Sequence, residues 1–111
     1  MQLTYAIKYV ADMERSIAFH RDVLGLELKF QSPEWSEFAT GETALALHLA
    51  GNGKSAGTVE LGFGTQSVQD FYDRRTDLGI EFTRAPTEMH GMTLGAFRDP
   101  DGAETSIGGP A

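Results

Sequence analysis

Glu60-Leu61-Gly62-Phe63-Gly64 decides the fold, because it restarts a unit that Tyr5-Ala6-Ile7-Lys8-Tyr9 has already opened once. Each stretch is followed by the same events: a polar break, an amphipathic helix, Leu-Gly, then an alternating strand. A repeat offset by about half the chain means two copies of one supersecondary unit. At 111 residues the chain has room for a single core and no separate substrate domain.

Working outward, Leu3 to Val10 alternates as a strand with Tyr5, Ile7 and Tyr9 on one face. Asp12 stands at a helix N-cap, Met13, Ile17, His20 and Leu24 recur at helical spacing, and Gly25 stops the helix. Strands follow at Leu26 to Gln31, Trp35 to Thr40 and Thr43 to Leu49, the first two separated by Ser32-Pro33-Glu34. The Gly-rich stretch from Ala50 to Gly57 reads as a linker, giving module 1 over residues 1–50, a linker over 51–57 and module 2 over 58–111. The second module repeats the pattern: a strand from Thr58 to Gly64, a helix capped by Ser67 and stopped by Gly79, and a strand from Ile80 to Arg84. A Pro-containing loop over Ala85 to Gly91 precedes strands at Met92 to Arg98 and Ala103 to Gly108, with Gly109-Pro110-Ala111 as a tail.

Strand parity separates two faces. Leu45, Leu47 and Leu49, and in the second module Val59, Leu61 and Phe63, suit burial under a helix. Ala44, Ala46 and His48, with Glu60, Gly62 and Gly64, are left by elimination to line a shared concavity. After Pro33 the phase of the strand is open, so Trp35 can fall on either face. Glu37 and Glu104 are candidates for the concave face, which they would make acidic.

The net charge of −7, with nine scattered Lys and Arg, opposes a phosphate backbone, so no nucleic-acid partner is expected. No apolar run approaches the ~20 residues of a membrane span. The first residues lack the pattern of a signal peptide, and a cytoplasmic location is expected. Zero cysteines exclude thiolate chemistry and disulfides. No Ser-His-Asp order, phosphate-binding glycine loop or His-Glu-x-x-His helix is present.

The helix phrase running from Asp12-Met13-Glu14-Arg15-Ser16-Ile17 to Leu24-Gly25, with Phe97-Arg98-Asp99-Pro100-Asp101-Gly102 in the second half, resembles the vicinal oxygen chelate superfamily. That group holds glyoxalase I, bleomycin-resistance proteins, extradiol dioxygenases and fosfomycin-resistance enzymes. The resemblance spans essentially the whole chain. It implies an α+β fold of two tandem βαβββ modules forming a curved mixed sheet or half-barrel around a central cup, with the helices outside. It also implies a homodimer. Metal-dependent members place one ligand on the first and last strand of each module, and the matching positions here are Tyr5, Ala46, Glu60 and Ser106. Only Glu60 is an ordinary ligand, and His48, two residues past Ala46, is a candidate displaced one.

The expectation is therefore a small-molecule-binding protein without the standard metal or any cofactor, taking an aromatic or amphipathic compound in the cup. Tyr5, Ile7, Tyr9, Trp35, Ala46, His48, Glu60, Gly62 and Ser106 would bind it, and Glu60 and His48 would act as base if there is chemistry. The alternative is a lyase, isomerase or dioxygenase using Zn, Ni, Mn or Fe held by Glu60, His48 and Tyr5. A third class is a non-enzymatic interaction domain. Each residue also has a structural reading: Glu60 as a solvated or Arg-paired carboxylate, His48 as a strand end, the aromatics as core filling. His20 reads as a packed or interface histidine, and His90 as an exposed loop residue.

Overall fold

The computed structural model describes residues 1–111, and its eight strands and three short α-helices make an α+β protein. The chain forms two compact units, one over Thr4–Val59 and the other over Met1–Leu3 with Glu60–Ala111.

In the first unit, β1 (Gln2–Val10) leads to α1 (Met13–Ala18), followed by β2 (Glu27–Phe30), β3 (Trp35–Ala39) and β4 (Ala44–Leu49). The strand order is β2-β3-β4-β1, with β1 parallel to β4 and the other pairs antiparallel. The extended backbone at Asp12 lets its carboxylate accept from the Arg15 amide at 3.1 Å, which starts α1. Met13 and Ile17 then lie on the inner side of the helix and pack with Val10, Phe38 and Leu47, flanked by Leu26, Leu28 and Leu45. The leucine face of β4 is thus the helix-covered face, as its alternation required.

The first helix was expected to run on to Leu24. It does so with a change of winding: residues Phe19–Val23 form a π-helical turn, and the Leu24 amide donates to the Phe19 carbonyl at 3.2 Å. The widening accompanies a side-chain bond, since His20 Nδ1 lies 2.7 Å from the Ser16 carbonyl. Gly25, at φ 71°, then ends the element.

The glycine-rich stretch after β4 is tied back to β1: the Ala50 amide donates to Val10 at 2.8 Å and the Gly57 amide to Tyr9 at 2.8 Å, while Gly51 and Lys54 form a bridge.

In the second unit, β5 (Val59–Gly64) is followed by α2 (Val68–Asp73), α3 (Arg75–Leu78), β6 (Phe82–Met89), β7 (Met92–Arg98) and β8 (Glu104–Pro110). The order is β5-β8-β7-β6, with β5 parallel to β8. Ser67 Oγ accepts from the Asp70 amide at 3.1 Å to open α2, and Gly79, at φ 69°, closes α3. Phe71 and Tyr72 pack on Phe82, and Phe71 also meets Phe97.

Four expectations are corrected here. The second helix is broken at Arg74 into two segments. The stretch Ala85 to Gly91 is mostly strand, because β6 carries Pro86 across a register shift between Arg84 and Thr87, and a strand on the sheet edge loses no ladder bond to a missing N–H. Gly109 and Pro110 belong to β8, since Gly109 pairs with Thr93 and Pro110 with Met92. Finally, Val59 and Leu61 are 59% and 45% exposed, because α2 packs over β6, β7 and β8. The Asp99 turn is as its residues dictate: the carboxylate accepts from the Asp101 and Ala103 amides at 2.9 Å each, and Gly102 takes φ 85°.

No helix is long and apolar enough to cross a membrane.

Candidate functional site

On the first unit's other face, β1 presents Tyr5, Ile7 and Tyr9, and the parallel register sets them beside Ala44, Ala46 and His48 of β4. The antiparallel register of β3 continues the row, pairing Glu37 with Ala46 and Trp35 with His48. Ile7, Tyr9 and Ala46 are buried, and Tyr5, Trp35 and Ala50 pack against them. The open phase of Trp35 is thereby settled: it shares the face of the two tyrosines. Ser32 sets that phase, its hydroxyl accepting from the Trp35 amide at 3.1 Å and donating to the Trp35 carbonyl at 2.6 Å.

Trp35 meets Tyr5 and His48 edge to face, while Tyr9 and His48 are tilted. Tyr5 and Trp35 have centroids 5.6 Å apart at 78°, Trp35 and His48 are 5.9 Å apart at 87°, and Tyr9 and His48 are 4.9 Å apart at 38°. Lys54 Nζ lies 5.7 Å from the centre of the Tyr9 ring.

Glu37 supplies the polar element of this face. Its carboxylate accepts from the Trp35 indole Nε1 at 2.8 Å and from the Tyr5 hydroxyl. Burial pushes the Tyr5 hydroxyl above its ordinary pKa, and the Glu37 charge and hydrogen bond push it further the same way. Tyr5 is therefore a firmly protonated donor at neutral pH. His48 Nδ1 faces the Leu49 carbonyl at 2.8 Å, a contact that in the neutral ring places the proton on Nδ1 and the lone pair on Nε2.

The second unit gathers a different pair. Glu60 is only 5% exposed, and its carboxylate accepts from the Ser106 hydroxyl. The parallel register of β5 and β8 sets this up by opposing Gly62 to Ser106. Glu60 is thus a buried, hydroxyl-bonded carboxylate and not a solvated one. His20 is likewise buried, against Phe19 and Phe38, while His90 is an exposed turn residue at φ 52°.

Tyr5, Ile7, Tyr9, Trp35, Ala46 and His48 are thus brought together in the first unit, and Glu60, Gly62 and Ser106 in the second. Two contributors were missed by sequence reasoning. Glu37 was read only as an acidic neighbour, although its i, i+2 spacing from Trp35 on one strand was a usable signal. Lys54 falls in the linker-like stretch, and nothing in its local sequence signals its position over Tyr9.

As metal ligands these residues fit poorly. Tyr5, Ala46 and Ser106 occupy three of the four matching positions, and the Ser106 hydroxyl is engaged by Glu60. Nowhere do three His, Cys, Asp or Glu side chains gather as a candidate ion site, whereas a catalytic divalent centre generally draws on about three protein ligands.

Comparison with known proteins agrees with this architecture. A Synechocystis protein described as a probable lactoylglutathione lyase is 31% identical, over 96% of this chain and 94% of that one. Methylmalonyl-CoA epimerase from Mycobacterium tuberculosis shares the fold with a TM-score of 0.81 at 14% identity, over 99% of this chain and 88% of the other. A glyoxalase/bleomycin resistance protein/dioxygenase superfamily member from Vibrio splendidus does so with a TM-score of 0.72 at 18% identity, over 95% and 96% of the two chains. The family profile itself matches residues 2–107, so the duplicated strand-helix pattern that opened at Tyr5 and Glu60 places this chain in the Glyoxalase/Bleomycin resistance protein/Dioxygenase superfamily.

Proposed function

We propose that this protein binds a flat aromatic or amphipathic small molecule on the face formed by Tyr5, Trp35 and His48, and that binding needs no metal. The observation that carries the reading is the half-buried Tyr5–Trp35–His48 set, held edge to face with Glu37 beneath two of its donors. Edge-to-face rings leave π surface for a flat ligand, and the buried Ile7, Tyr9 and Ala46 give it an apolar floor. Sequestration of the bound compound is the simplest use. If a bond is made or broken, the His48 Nε2 lone pair and the Glu60 carboxylate are the bases this chain offers.

A divalent-metal-dependent lyase or isomerase is the second reading, favoured by the description of the Synechocystis relative. Metal analysis of the purified protein separates the two: stoichiometric Zn, Ni, Mn or Fe that is lost in Glu60→Ala would overturn the metal-free reading. The proposed working state is a cytoplasmic homodimer, supported by apolar surface left bare at Val23, Val59 and Leu61. Light scattering at micromolar concentration tests it, a monomer mass counting against it. Binding is tested through Trp35, the chain's single tryptophan, whose fluorescence reports directly on this face.

A further inference from the structure

The same strand that carries Tyr5 and Tyr9 turns Lys8 and Val10 to the opposite, helix-covered side. Val10 is sealed against Met13 and Ile17. Lys8 instead opens, with Asp12, Arg15, Ser16, Phe19 and His20, on a cavity of about 320 Å³ between β1 and the first helix. In a chain of net charge −7, this concavity collects two of the nine Lys and Arg.

Neither cation is neutralised. Arg21 pairs with Asp22, Lys29 with Glu27 and Arg98 with Glu81, whereas Lys8 and Arg15 enter no ion pair. Asp12, the one acid on the lining, spends an oxygen on the Arg15 amide. His20 adds a third group. It is 5% exposed, its Nδ1–H donates to the Ser16 carbonyl, and its Nε2 has no protein partner. In the neutral ring with its proton on Nδ1, Nε2 is an acceptor.

We propose that this cavity is a binding site for a small oxyanion that also bears an O–H group, the chemistry of a hydroxycarboxylate or a phosphate monoester. Lys8 and Arg15 donate to the charged oxygens, and His20 Nε2 accepts from the O–H. Phe19, exposed at the rim, gives the carbon part of such a ligand an apolar contact. The site lies on the other side of the first unit's sheet from the aromatic face, so it stands whether or not that face binds a ligand.

The test is an amide NMR titration of the full chain at neutral pH and constant ionic strength. Inorganic phosphate, which keeps a P–OH, is the probe and sulfate, which lacks one, the comparator. Saturable shifts centred on Arg15, Ser16 and His20, stronger for phosphate than for sulfate, are expected. The double variant Lys8→Gln/Arg15→Gln, which alters no core residue, should weaken phosphate roughly tenfold or more, the loss of two charge-assisted contacts. Absence of saturable shifts, or unchanged affinity in the double variant, overturns the site. Equal affinity for sulfate and phosphate overturns the acceptor role of His20 and with it the requirement for an O–H.

Discussion

The indole Nε1 of Trp35 donates to the carboxylate of Glu37, two positions along the same strand, at 2.8 Å, and the Tyr5 hydroxyl reaches that carboxylate from β1. One acid thereby fixes two aromatic rings on adjacent parts of the sheet face. It also adds to the upward pKa shift that burial gives the Tyr5 hydroxyl, which yields a pH-dependent signature.

Tyr5 has a folded-state pKa raised above its ordinary 10.0, by burial first and Glu37 second. The folded chain therefore holds the Tyr5 proton more tightly than the unfolded chain. The resulting stability is intact below pH 10 and is lost as pH rises through the folded value. Melting temperature should fall above about pH 10, and fall less in Tyr5→Phe. In Glu37→Gln, ultraviolet titration of tyrosinate should show Tyr5 ionising at lower pH; an unchanged titration would count against the contact.

Leu47 is fully buried between β4 and the first helix, among Val10, Met13, Ile17 and Phe38. Leu47→Ala should cost about 2–5 kcal/mol in urea unfolding. Ala46, its neighbour on the opposite face, is also fully buried, so Ala46→Leu should overpack the floor beneath Tyr5 and Trp35 and cost about 1–3 kcal/mol.

Gly109 lies where a Cβ would strike the Thr65 backbone carbonyl, which cannot swing aside as a side chain can. Gly109→Ala should destabilise by about 1–3 kcal/mol. Gly95 meets a milder limit, its Cβ position lying 3.1 Å from the Arg84 carbonyl, and its alanine variant should cost less.

Ser106 donates to the buried Glu60 carboxylate. Removing a donor from a buried acceptor is costly, and Ser106→Ala should lower stability by about 1–3 kcal/mol. A variant as stable as the parent would show that the hydroxyl carries none of the burden of keeping that carboxylate inside.

Much of the fold was legible because it rests on local chemistry. Asp12 and Ser67 cap helices, Gly25 and Gly79 end them, and the alternation of Leu45 and Leu47 against Ala44 and Ala46 assigns faces without any tertiary information. What escaped depends on contacts between segments. The phase of Trp35 is reset by the Ser32 hydroxyl bonding both its amide and its carbonyl, which alternation alone does not encode. The π-turn goes with a histidine bond to the Ser16 carbonyl. Pro86 read as a loop because its tolerance in β6 depends on that strand lying at an edge. Of the aromatic face, the tyrosines were readable from β1, whereas Lys54 arrives over Tyr9 through the backbone bonds that fold the glycine-rich stretch back onto β1.

The central claim, that the Tyr5–Trp35–His48 face binds a flat aromatic molecule, is tested most directly by Trp35 fluorescence during titration with a panel of aromatic and polycyclic compounds. A saturable change for at least one compound is expected, with a matching rise in melting temperature and affinity weakened roughly tenfold in Tyr5→Ala, the scale of one lost aromatic contact. Flat fluorescence and an unmoved melting temperature across the panel would contradict it.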